Sequence, residues 1–278
     1  MIQVGPLRLF KAWPACALDQ FVWHVVRAIA DKKARPPVPR AGVRWNVMLG
    51  VSGMPSNYYD NDYVQAAIER GAHRDVIGGM WDEIGILQLD FLKANGLRPE
   101  HKLLDIGCGS LRLGVRAADF LLPGNYWGTD LNSTLLDAGY DKEIVPAGLS
   151  GKLPRAQLVA DGDFKFSGVS SNIDFAIAQS VFTHLPLNHL RLCLARLARH
   201  VTSPCTFFFT VFTPPDNLPV TESHKHQRGG IVTHPHRDPY HYSVADLHHA
   251  AAETPWSIEF IGDWDHPRSQ MMVKAQKA

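Results

Sequence analysis

The sequence predicts an α/β protein built on a doubly wound sheet, mostly parallel and flanked by helices, that ends in a C-terminal antiparallel hairpin. Short apolar segments alternate with helical patterns between residues 102 and 212, which is typical of a parallel sheet with helices on both faces. Turn-forming pairs such as Pro123-Gly124 separate these elements. The last two apolar segments, residues 256–262 and 270–276, are too close for a crossover helix, so we expect them to pair antiparallel.

The individual elements follow from the spacing of apolar residues along the chain. Helices are predicted where apolar residues recur three and four positions apart, over residues 60–70, 79–95, 110–122, 133–140, 187–200 and 244–252. Strands are predicted where apolar runs are too short for helices, over residues 102–106, 126–130, 157–161, 173–179, 205–212, 256–262 and 270–276. This order of elements is typical of a Rossmann-like sheet.

Two regions are predicted along the 278 residues. Residues 1–50 form an N-terminal extension, helical over residues 18–31, followed by a linker in which three prolines prevent a continuing helix. Residues 51–278 form the α/β domain, with a histidine-rich insertion at about residues 214–242. Because loops this long within a compact domain usually act as lids or binding loops, we expect the insertion to cover a substrate.

The composition excludes several classes of protein. The net charge is +1 at pH 7 with histidine neutral. This small charge does not favour nucleic acid as a partner, because nucleic-acid-binding proteins usually have a strongly basic surface. The four cysteines show no metal-site or disulfide spacing, which favours the reducing cytoplasm as the location. The longest apolar runs fall short of the roughly 20 residues of a membrane span. Arg8 and Lys11 interrupt the apolar region that a signal peptide would need.

A glycine-rich loop follows the first predicted strand in the stretch Lys102-LLDIGCGSLRLG-Val115. In a doubly wound sheet, ligands bind at the carboxyl ends of the strands, where this loop lies. A dinucleotide-binding loop would need a third glycine at the position of Arg112, and the Gly-Lys-Ser/Thr of a phosphate-binding loop is absent. The loop therefore disfavours a dinucleotide-dependent dehydrogenase.

Acidic residues end the first three predicted strands: Asp105, Asp130 and Asp161. A carboxylate beside the glycines suits a cationic ligand such as S-adenosylmethionine, which has an ammonium and a sulfonium and no phosphate. Asp130 is placed to accept hydrogen bonds from a ribose diol, and Asp161 is placed near the amine of adenine. A single aspartate at a strand end is commonly a helix cap, but three in succession favour a cofactor site.

The segment Asp105-Ile106-Gly107-Cys108-Gly109 resembles the acid-x-Gly-x-Gly motif of the class I S-adenosylmethionine-dependent methyltransferases, and the resemblance covers roughly residues 75–278. It implies that this loop lies beside the methionine part of the cofactor and that the fourth strand ends at the reaction cleft. Many members have a third glycine where this chain has Leu111. The residues expected to bind S-adenosylmethionine are Asp105, Gly107, Cys108, Gly109, Asp130, Leu131, Asp161, Gly162 and Gln179.

Two histidines are the candidate catalytic residues. Methyl transfer is an in-line displacement in which the enzyme mainly positions the acceptor, but a hydroxyl acceptor also needs a general base. His184 follows the fourth predicted strand and is the best-placed base, although it alternatively caps or orients the next helix. His241 leads into the helix predicted at residue 244 and is the second candidate. The His-x-His pairs of the insertion lack an acid or a cysteine at convincing spacing, so no metal is predicted.

The predicted function is therefore methylation of a small-molecule acceptor by S-adenosylmethionine, with O-methylation as the leading expectation. Three alternatives stay open: an N-methyltransferase, an enzyme for a lipid-linked or glycan acceptor at a membrane surface, and a non-catalytic S-adenosylmethionine-binding protein. Methyltransferases of nucleic-acid amino groups have Asn/Asp-Pro-Pro-Tyr/Phe after the fourth strand, where this chain has Gln179-SVF. Nucleic acid is therefore not an expected substrate.

The membrane alternative rests on residues 18–40, where an apolar helix face is followed by several basic residues. Such a segment can lie on an anionic membrane, which would make the cytoplasmic protein peripheral to it. The commoner outcome is that an appended helix packs on its own domain or on a dimer partner. Trp81 and Gln88 lie two turns apart on one face of a predicted helix and are further candidates for contact with the cofactor or the substrate. Trp81 is more simply explained as a residue of the hydrophobic core.

Overall fold

The computed structural model describes residues 60–202 and 204–277. The helix predicted at residues 18–31 and the proline-rich linker lie outside the described residues. The α-helices of the described part are α1 (Asn61–Glu69), α2 (His73–Val76), α3 (Trp81–Ala94), α4 (Gly114–Phe120), α5 (Ser133–Gly139), α6 (Leu187–His200) and α7 (Val244–Ala251). A π-helical turn (Tyr140–Ile144) follows α5, and a short 3-10 helix (Arg155–Gln157) precedes the third strand. The strands are β1 (Leu103–Ile106), β2 (Tyr126–Asp130), β3 (Leu158–Ala160), β4 (Phe175–Ala178), β5 (Cys205–Val211), β6 (His224–Lys225), β7 (Val232–Thr233), β8 (Ser257–Asp263) and β9 (Met271–Lys277).

Seven of these strands form one sheet in the order β3-β2-β1-β4-β5-β9-β8. Strands β1 to β5 pair in parallel, whereas β9 pairs antiparallel with both β5 and β8. The predicted mostly parallel sheet and its C-terminal antiparallel hairpin are confirmed. The hairpin folds back so that β9 lies inside the sheet, and β8 at the edge therefore runs in the same direction as the parallel strands.

Both faces of the sheet are buried, because successive side chains of a strand point to opposite faces. In β5, Phe207 and Phe209 pack with α6 and α7 on one face, while Phe208 packs with α3 and α4 on the other. This is why the strands appear in the sequence as continuous apolar runs. The two helical layers leave the carboxyl ends of the parallel strands exposed at one edge, and the strand order reverses between β1 and β4 at that edge.

Two helices begin later than their apolar spacing predicts. Gly79 and Met80 have φ values of 62° and 49°, so α3 begins only at Trp81. Leu111 has a φ of 70°, and the helix predicted from residue 110 begins at Gly114. A left-handed residue cannot continue a right-handed helix. Both departures have a left-handed backbone as their cause, in loops near the edge where the parallel strands end.

The histidine-rich insertion lies between β5 and α7 and contains the short antiparallel pair β6–β7. The segment after β7 returns to the sheet, where His241 forms a bridge with Phe212 at the end of β5. The insertion is therefore anchored next to the carboxyl ends of β4 and β5. Within the described ranges, no helix is long and apolar enough to span a membrane.

Candidate active site

A cleft opens at the carboxyl ends of β1, β2, β3 and β4. All nine residues that the sequence predicts to bind the cofactor line this cleft, and so does His184. The parallel strands end at one edge of the sheet, which brings together residues that are far apart in the chain. His241, the second predicted catalytic residue, does not line the cleft.

The glycine loop after β1 requires residues without a side chain. Gly107 and Gly109 have φ values of 72° and 55°, a region that other residues rarely adopt. A Cβ at position 107 would overlap the Cγ2 of Val181, and a Cβ at position 109 would lie 2.6 Å from the Cγ2 of Ile77. The loop therefore packs closely between the segment after β4 and the segment before α3.

Asp130, at the end of β2, connects the glycine loop to the next loop along the sheet. Its Oδ2 accepts a hydrogen bond from the Gly109 amide at 2.8 Å, and its Oδ1 accepts one from the Asn132 amide at 2.9 Å. Each carboxylate oxygen can accept more than one hydrogen bond. The two amides thus fix the orientation of the carboxylate at the cleft, and each of its oxygens can still accept a further hydrogen bond.

Asp161, after β3, organises its own loop. Its Oδ1 accepts from the Asp163 amide at 3.1 Å and its Oδ2 accepts from the Phe166 amide at 2.7 Å. These two hydrogen bonds shape the turn that carries Gly162 and Phe164 to the cleft wall. The sequence did not indicate Phe164, because nothing in the local pattern shows that its aromatic ring belongs to the cleft.

Asp105 is the most deeply buried acid of the cleft, with 3% of its surface exposed. The Tyr126 hydroxyl donates to its Oδ2 at 2.7 Å. Burial raises the pKa of Asp105 to about 7, although the hydrogen bond from Tyr126 and the charge of Arg112 act in the opposite direction. A cation bound beside this carboxyl would favour its ionised form.

Cys108, also predicted to bind the cofactor, has its sulfur in the core. A Cβ on Gly128 would lie 2.8 Å from this sulfur, which shows that the thiol packs against β2. Burial raises the pKa of the Cys108 thiol well above its ordinary value. The thiol is therefore neutral and unreactive near pH 7.

Arg112 and Gln179 form a polar network along the cleft, and the sequence did not predict it. Arg112 Nη2 donates to Gln179 Oε1 at 2.6 Å, and the Gln179 amide nitrogen donates to Gln270 Oε1 at 3.3 Å. The same nitrogen lies 3.1 Å from His266 Nε2. Burial, followed by the charge of Arg112, lowers the pKa of His266 to about 3, so this ring is neutral. Gln179 is thus fixed in orientation by a cation on one side and by neutral groups on the other.

Gln88, on α3, brings a buried polar atom to the cleft. It is 3% exposed and lines the cleft. Among the described residues, its Oε1 has no hydrogen-bond partner. A buried carbonyl oxygen without a partner is costly in a folded protein, so this atom is suited to accept a hydrogen bond from a ligand.

His184 lines the cleft and contacts an acid from the insertion. Its Nδ1 lies 2.7 Å from Asp238 Oδ1. Neither residue was paired with the other in the sequence prediction, because 54 positions separate them. Ser180 and Val181, between β4 and His184, also line the cleft, and the rule that ligands bind at strand ends could have identified them.

His241 instead belongs to a buried hydrogen-bond network within the insertion. Its Nδ1 lies 2.8 Å from Thr233 Oγ1, and His226 Nε2 lies 3.0 Å from the same hydroxyl. Burial lowers the pKa of His226 to about 4 and also lowers that of His241. These contacts stabilise the fold of the insertion. In the described part of the chain, no three histidine, cysteine, aspartate or glutamate residues are grouped so that they could hold a metal ion.

No protein-family model matches the sequence. Among solved structures, magnesium protoporphyrin IX methyltransferase from Synechocystis, with bound S-adenosylmethionine, is similar with a TM-score of 0.54 at 16% identity, over 82% of this chain and 99% of that chain. The S-adenosylmethionine-bound amino pentose methyltransferase of Micromonospora echinaspora, involved in calicheamicin biosynthesis, has a TM-score of 0.51 at 16% identity, covering 77% and 97%. An S-adenosylmethionine-dependent methyltransferase from Clostridium acetobutylicum has a TM-score of 0.52 at 11% identity, covering 80% and 99%. The chain therefore has the Rossmann-like fold of the class I S-adenosylmethionine-dependent methyltransferases.

Proposed function

We propose that the protein is an S-adenosylmethionine-dependent methyltransferase that acts on a small-molecule acceptor. The observation that carries this proposal is the convergence of Asp105, Asp130, Asp161 and two left-handed glycines on one cleft. The fold agrees with the proposal, and the acids distinguish it from a nucleotide-binding function. Three carboxyl groups in one cleft disfavour a pyrophosphate and favour a cationic ligand.

The residues of the cleft fit S-adenosylmethionine on their own chemistry. The buried Asp105 and Gln88 Oε1, which has no partner within the described ranges, can both accept hydrogen bonds, as an ammonium requires. Asp130, held by two amides, would accept from the ribose hydroxyls. The absence of Cβ atoms at Gly107 and Gly109 lets the loop pack closely against Val181 and Ile77 beside these acids.

When bound, S-adenosylmethionine supplies an electrophilic methyl carbon, and the electron pair of the broken carbon–sulfur bond stays on sulfur. The chain has to orient the acceptor, exclude water and accept a proton where the acceptor is a hydroxyl. His184 lines the cleft and is the side chain that we assign to the proton. This assignment supports O-methylation over N-methylation, since an unprotonated amine needs no base in the transfer.

A small-molecule acceptor is supported by two of the similar structures. One is a methyltransferase of magnesium protoporphyrin IX and another is a methyltransferase of an amino pentose. Both have the fold described for this chain. The net charge of +1 does not supply the basic surface that a nucleic-acid substrate would require.

Calorimetric titration with S-adenosylmethionine and its demethylated product tests the cofactor. We expect binding to the wild-type protein and binding about tenfold weaker or worse for Asp130→Asn, because hydrogen bonds to a charged group contribute roughly 1.5–3 kcal/mol. Asp137→Asn is the matched control, since Asp137 pairs with Arg155 and does not line the cleft. Absence of binding to either ligand, or equal binding by both variants, would contradict the proposal.

Turnover is tested separately. The protein is incubated with S-adenosylmethionine labelled in its methyl group and with a metabolite extract, and labelled products are identified by mass spectrometry. We expect label in a small hydroxyl compound. Label found only in amines would overturn O-methylation but not the methyltransferase function. Cofactor binding without any transfer would support the non-catalytic alternative.

A further inference from the structure

We propose that Asp238, supplied by the histidine-rich insertion, is a positioning residue that holds His184 ready to take the proton of a hydroxyl acceptor. The proposal rests on the methyltransferase function proposed above. It assigns the insertion a specific part in the reaction, because the insertion contributes the acid that orients the base. It also predicts that the insertion selects hydroxyl acceptors over amines.

The contact between the two side chains is short and partly shielded from solvent. His184 Nδ1 and Asp238 Oδ1 are 2.7 Å apart, and the side chains are 31% and 20% exposed. This distance is that of a charge-assisted hydrogen bond. Exposed ion pairs contribute little because long side chains lose conformational freedom when they pair. Histidine and aspartate have short side chains, and both members of this pair are mostly buried.

The backbone around the pair is fixed on both sides. The Tyr240 amide donates to the Thr183 carbonyl at 2.8 Å, one residue before His184. The Tyr242 hydroxyl donates to the Leu185 carbonyl, one residue after His184. The end of the insertion therefore binds the backbone on both sides of His184 through hydrogen bonds, and Asp238 adds a contact to the His184 ring.

The end of the insertion is in turn anchored to the sheet. The Tyr242 amide donates to the Phe212 carbonyl at the end of β5 at 2.9 Å. The rings of Tyr240 and Tyr242 stack with an interplanar angle of 6°, and Tyr242 is only 6% exposed. Because this part of the insertion is anchored to the sheet, Asp238 keeps a fixed orientation, as the positioning of a base requires.

The hydrogen bond decides which nitrogen of the ring can act as the base. With the proton on Nδ1 donated to Asp238, the lone pair of the neutral ring is on Nε2. As the acceptor oxygen exchanges its hydrogen for the methyl group, the hydroxyl proton passes to Nε2. The imidazolium that forms is stabilised by the Asp238 carboxylate and then releases this proton to water. Atoms and charge balance without any further reactant.

A simpler role for Asp238 would be to anchor the insertion without affecting the chemistry. The two roles differ in their readouts. An anchor would change stability and cofactor binding together, and it would affect hydroxyl and amine acceptors equally. A positioning residue would change the protonation of the ring and the turnover of hydroxyl acceptors, while cofactor binding stays constant.

The first experiment observes the ring directly. Full-length protein labelled with ¹⁵N-histidine is studied by NMR at about pH 8.5, where histidine is ordinarily neutral, and the His184 signals are assigned from their loss in His184→Gln. We expect His184 to carry its proton on Nδ1 in the wild-type protein and in Asp216→Asn, an exposed acid of the same insertion. In Asp238→Ala we expect the proton to move to Nε2. A wild-type ring protonated on Nε2 would overturn the proposal.

The second experiment measures methyl transfer with the hydroxyl acceptor found by turnover and with an amine of the same carbon skeleton. For Asp238→Asn we expect kcat for the hydroxyl acceptor to fall by about a hundredfold, with KM and the affinity for the demethylated cofactor product unchanged. Equal losses for both acceptors, or unchanged kcat, would overturn the proposal. If the wild-type protein binds no cofactor, the proposed function fails instead, and the NMR experiment still decides whether Asp238 orients His184.

Discussion

Arg112 donates through Nη2 to Gln179 Oε1 at 2.6 Å and through Nη1 to the Gly79 carbonyl at 2.9 Å. The residue that replaces the third glycine of a dinucleotide-binding loop thus connects three segments around the cleft: the glycine loop, the end of β4 and the turn before α3. A planar guanidinium can bind two acceptors in fixed directions at once, whereas an ammonium on a flexible chain cannot do so in the same geometry.

Replacing Arg112 with lysine should therefore loosen the cleft while keeping the charge. We expect a loss of stability of about 1–3 kcal/mol, because at least one buried acceptor loses its donor, and weaker binding of the demethylated cofactor product. Urea denaturation and calorimetry measure the two effects. Arg191→Lys is the control, since Arg191 lies 3.9 Å from an exposed glutamate and outside the cleft. A stability equal to that of the control would contradict the role given to Arg112.

The substitution Gly107→Ala should lower the stability of the protein by more than the left-handed backbone at this position alone explains. Gly107 and Gly148 have nearly the same φ, 72° and 71°. In the part of the chain that the structure describes, a Cβ at Gly107 would meet the side chain of Val181, whereas a Cβ at Gly148 would meet no group. We expect Gly148→Ala to lose about 1–2 kcal/mol for the left-handed backbone and Gly107→Ala to lose clearly more. Cofactor binding should fall only in Gly107→Ala. Equal losses in both variants would show that the loop adapts without affecting the cleft.

At position 111, a glycine variant should be at least as stable as an alanine variant, which reverses the usual order of stability. It is fully buried with a φ of 70°, so replacing it with alanine removes packing but keeps the unfavourable backbone conformation. We expect Leu111→Ala to lose about 2–5 kcal/mol and Leu111→Gly to be at least as stable as Leu111→Ala, because glycine relieves about 1–2 kcal/mol at such a φ.

Leu113 is the matched control for this comparison. It is equally buried, at 1% exposure, and has a right-handed φ of −76°. At Leu113 we expect the alanine variant to be more stable than the glycine variant by about 0.4–1 kcal/mol, because glycine gives the unfolded chain more conformational freedom. Thermal denaturation of the four variants measures both differences. The same order of alanine and glycine at both positions would mean that the backbone of Leu111 is not strained in solution.

Cofactor binding should depend on pH through Asp105. Because burial raises its pKa to about 7, folding stabilises the protonated carboxyl, and this contribution to stability is complete below the unfolded pKa and is lost as the pH rises through about 7. A cationic ligand binds the ionised form, so its affinity should rise between about pH 5 and pH 7. The groups that face this carboxyl are Tyr126, Arg112 and Asp130.

Calorimetry in two buffers of different ionisation enthalpy measures this coupling. We expect release of a proton on binding of S-adenosylmethionine below pH 7, and a gain in affinity of up to about tenfold per pH unit. Asp105→Asn should remove the release, whereas Asp174→Asn, which alters an acid that accepts from the Lys102 amide away from the cleft, should keep it. Proton release that persists in Asp105→Asn would assign the coupling to another group.

Much of the fold and of the cleft could be predicted because their signals are local. The strand before Gly107 is apolar, the acid and the glycines follow it within a few residues, and the same pattern of a strand ending in an acid recurs at Asp130 and Asp161. Parallel pairing then brings these strand ends to one edge without further information. All nine predicted cofactor residues line one cleft for this reason.

The contacts that no local pattern indicates are those between distant segments. Asp238 and His184 are 54 positions apart, and the sequence suggested His241 from the same insertion instead. His241 is closer than Asp238 to the helix predicted from residue 244, but the chain path of the insertion turns the His241 ring into the Thr233 network and brings Asp238 to His184. Which of several polar residues in a long loop reaches a cleft depends on how that loop folds back.

By itself, the sequence determined the doubly wound sheet and the edge at which the cleft lies, because apolar periodicity, turn residues and strand-end acids act over a few neighbouring positions. Only the tertiary structure decided that Arg112 connects three segments, that Leu111 takes a left-handed conformation and that Asp238 reaches His184. The physical reason is that hydrogen bonds and close packing act over about 3–4 Å in space, and the folded path of the chain sets which distant residues come within that range.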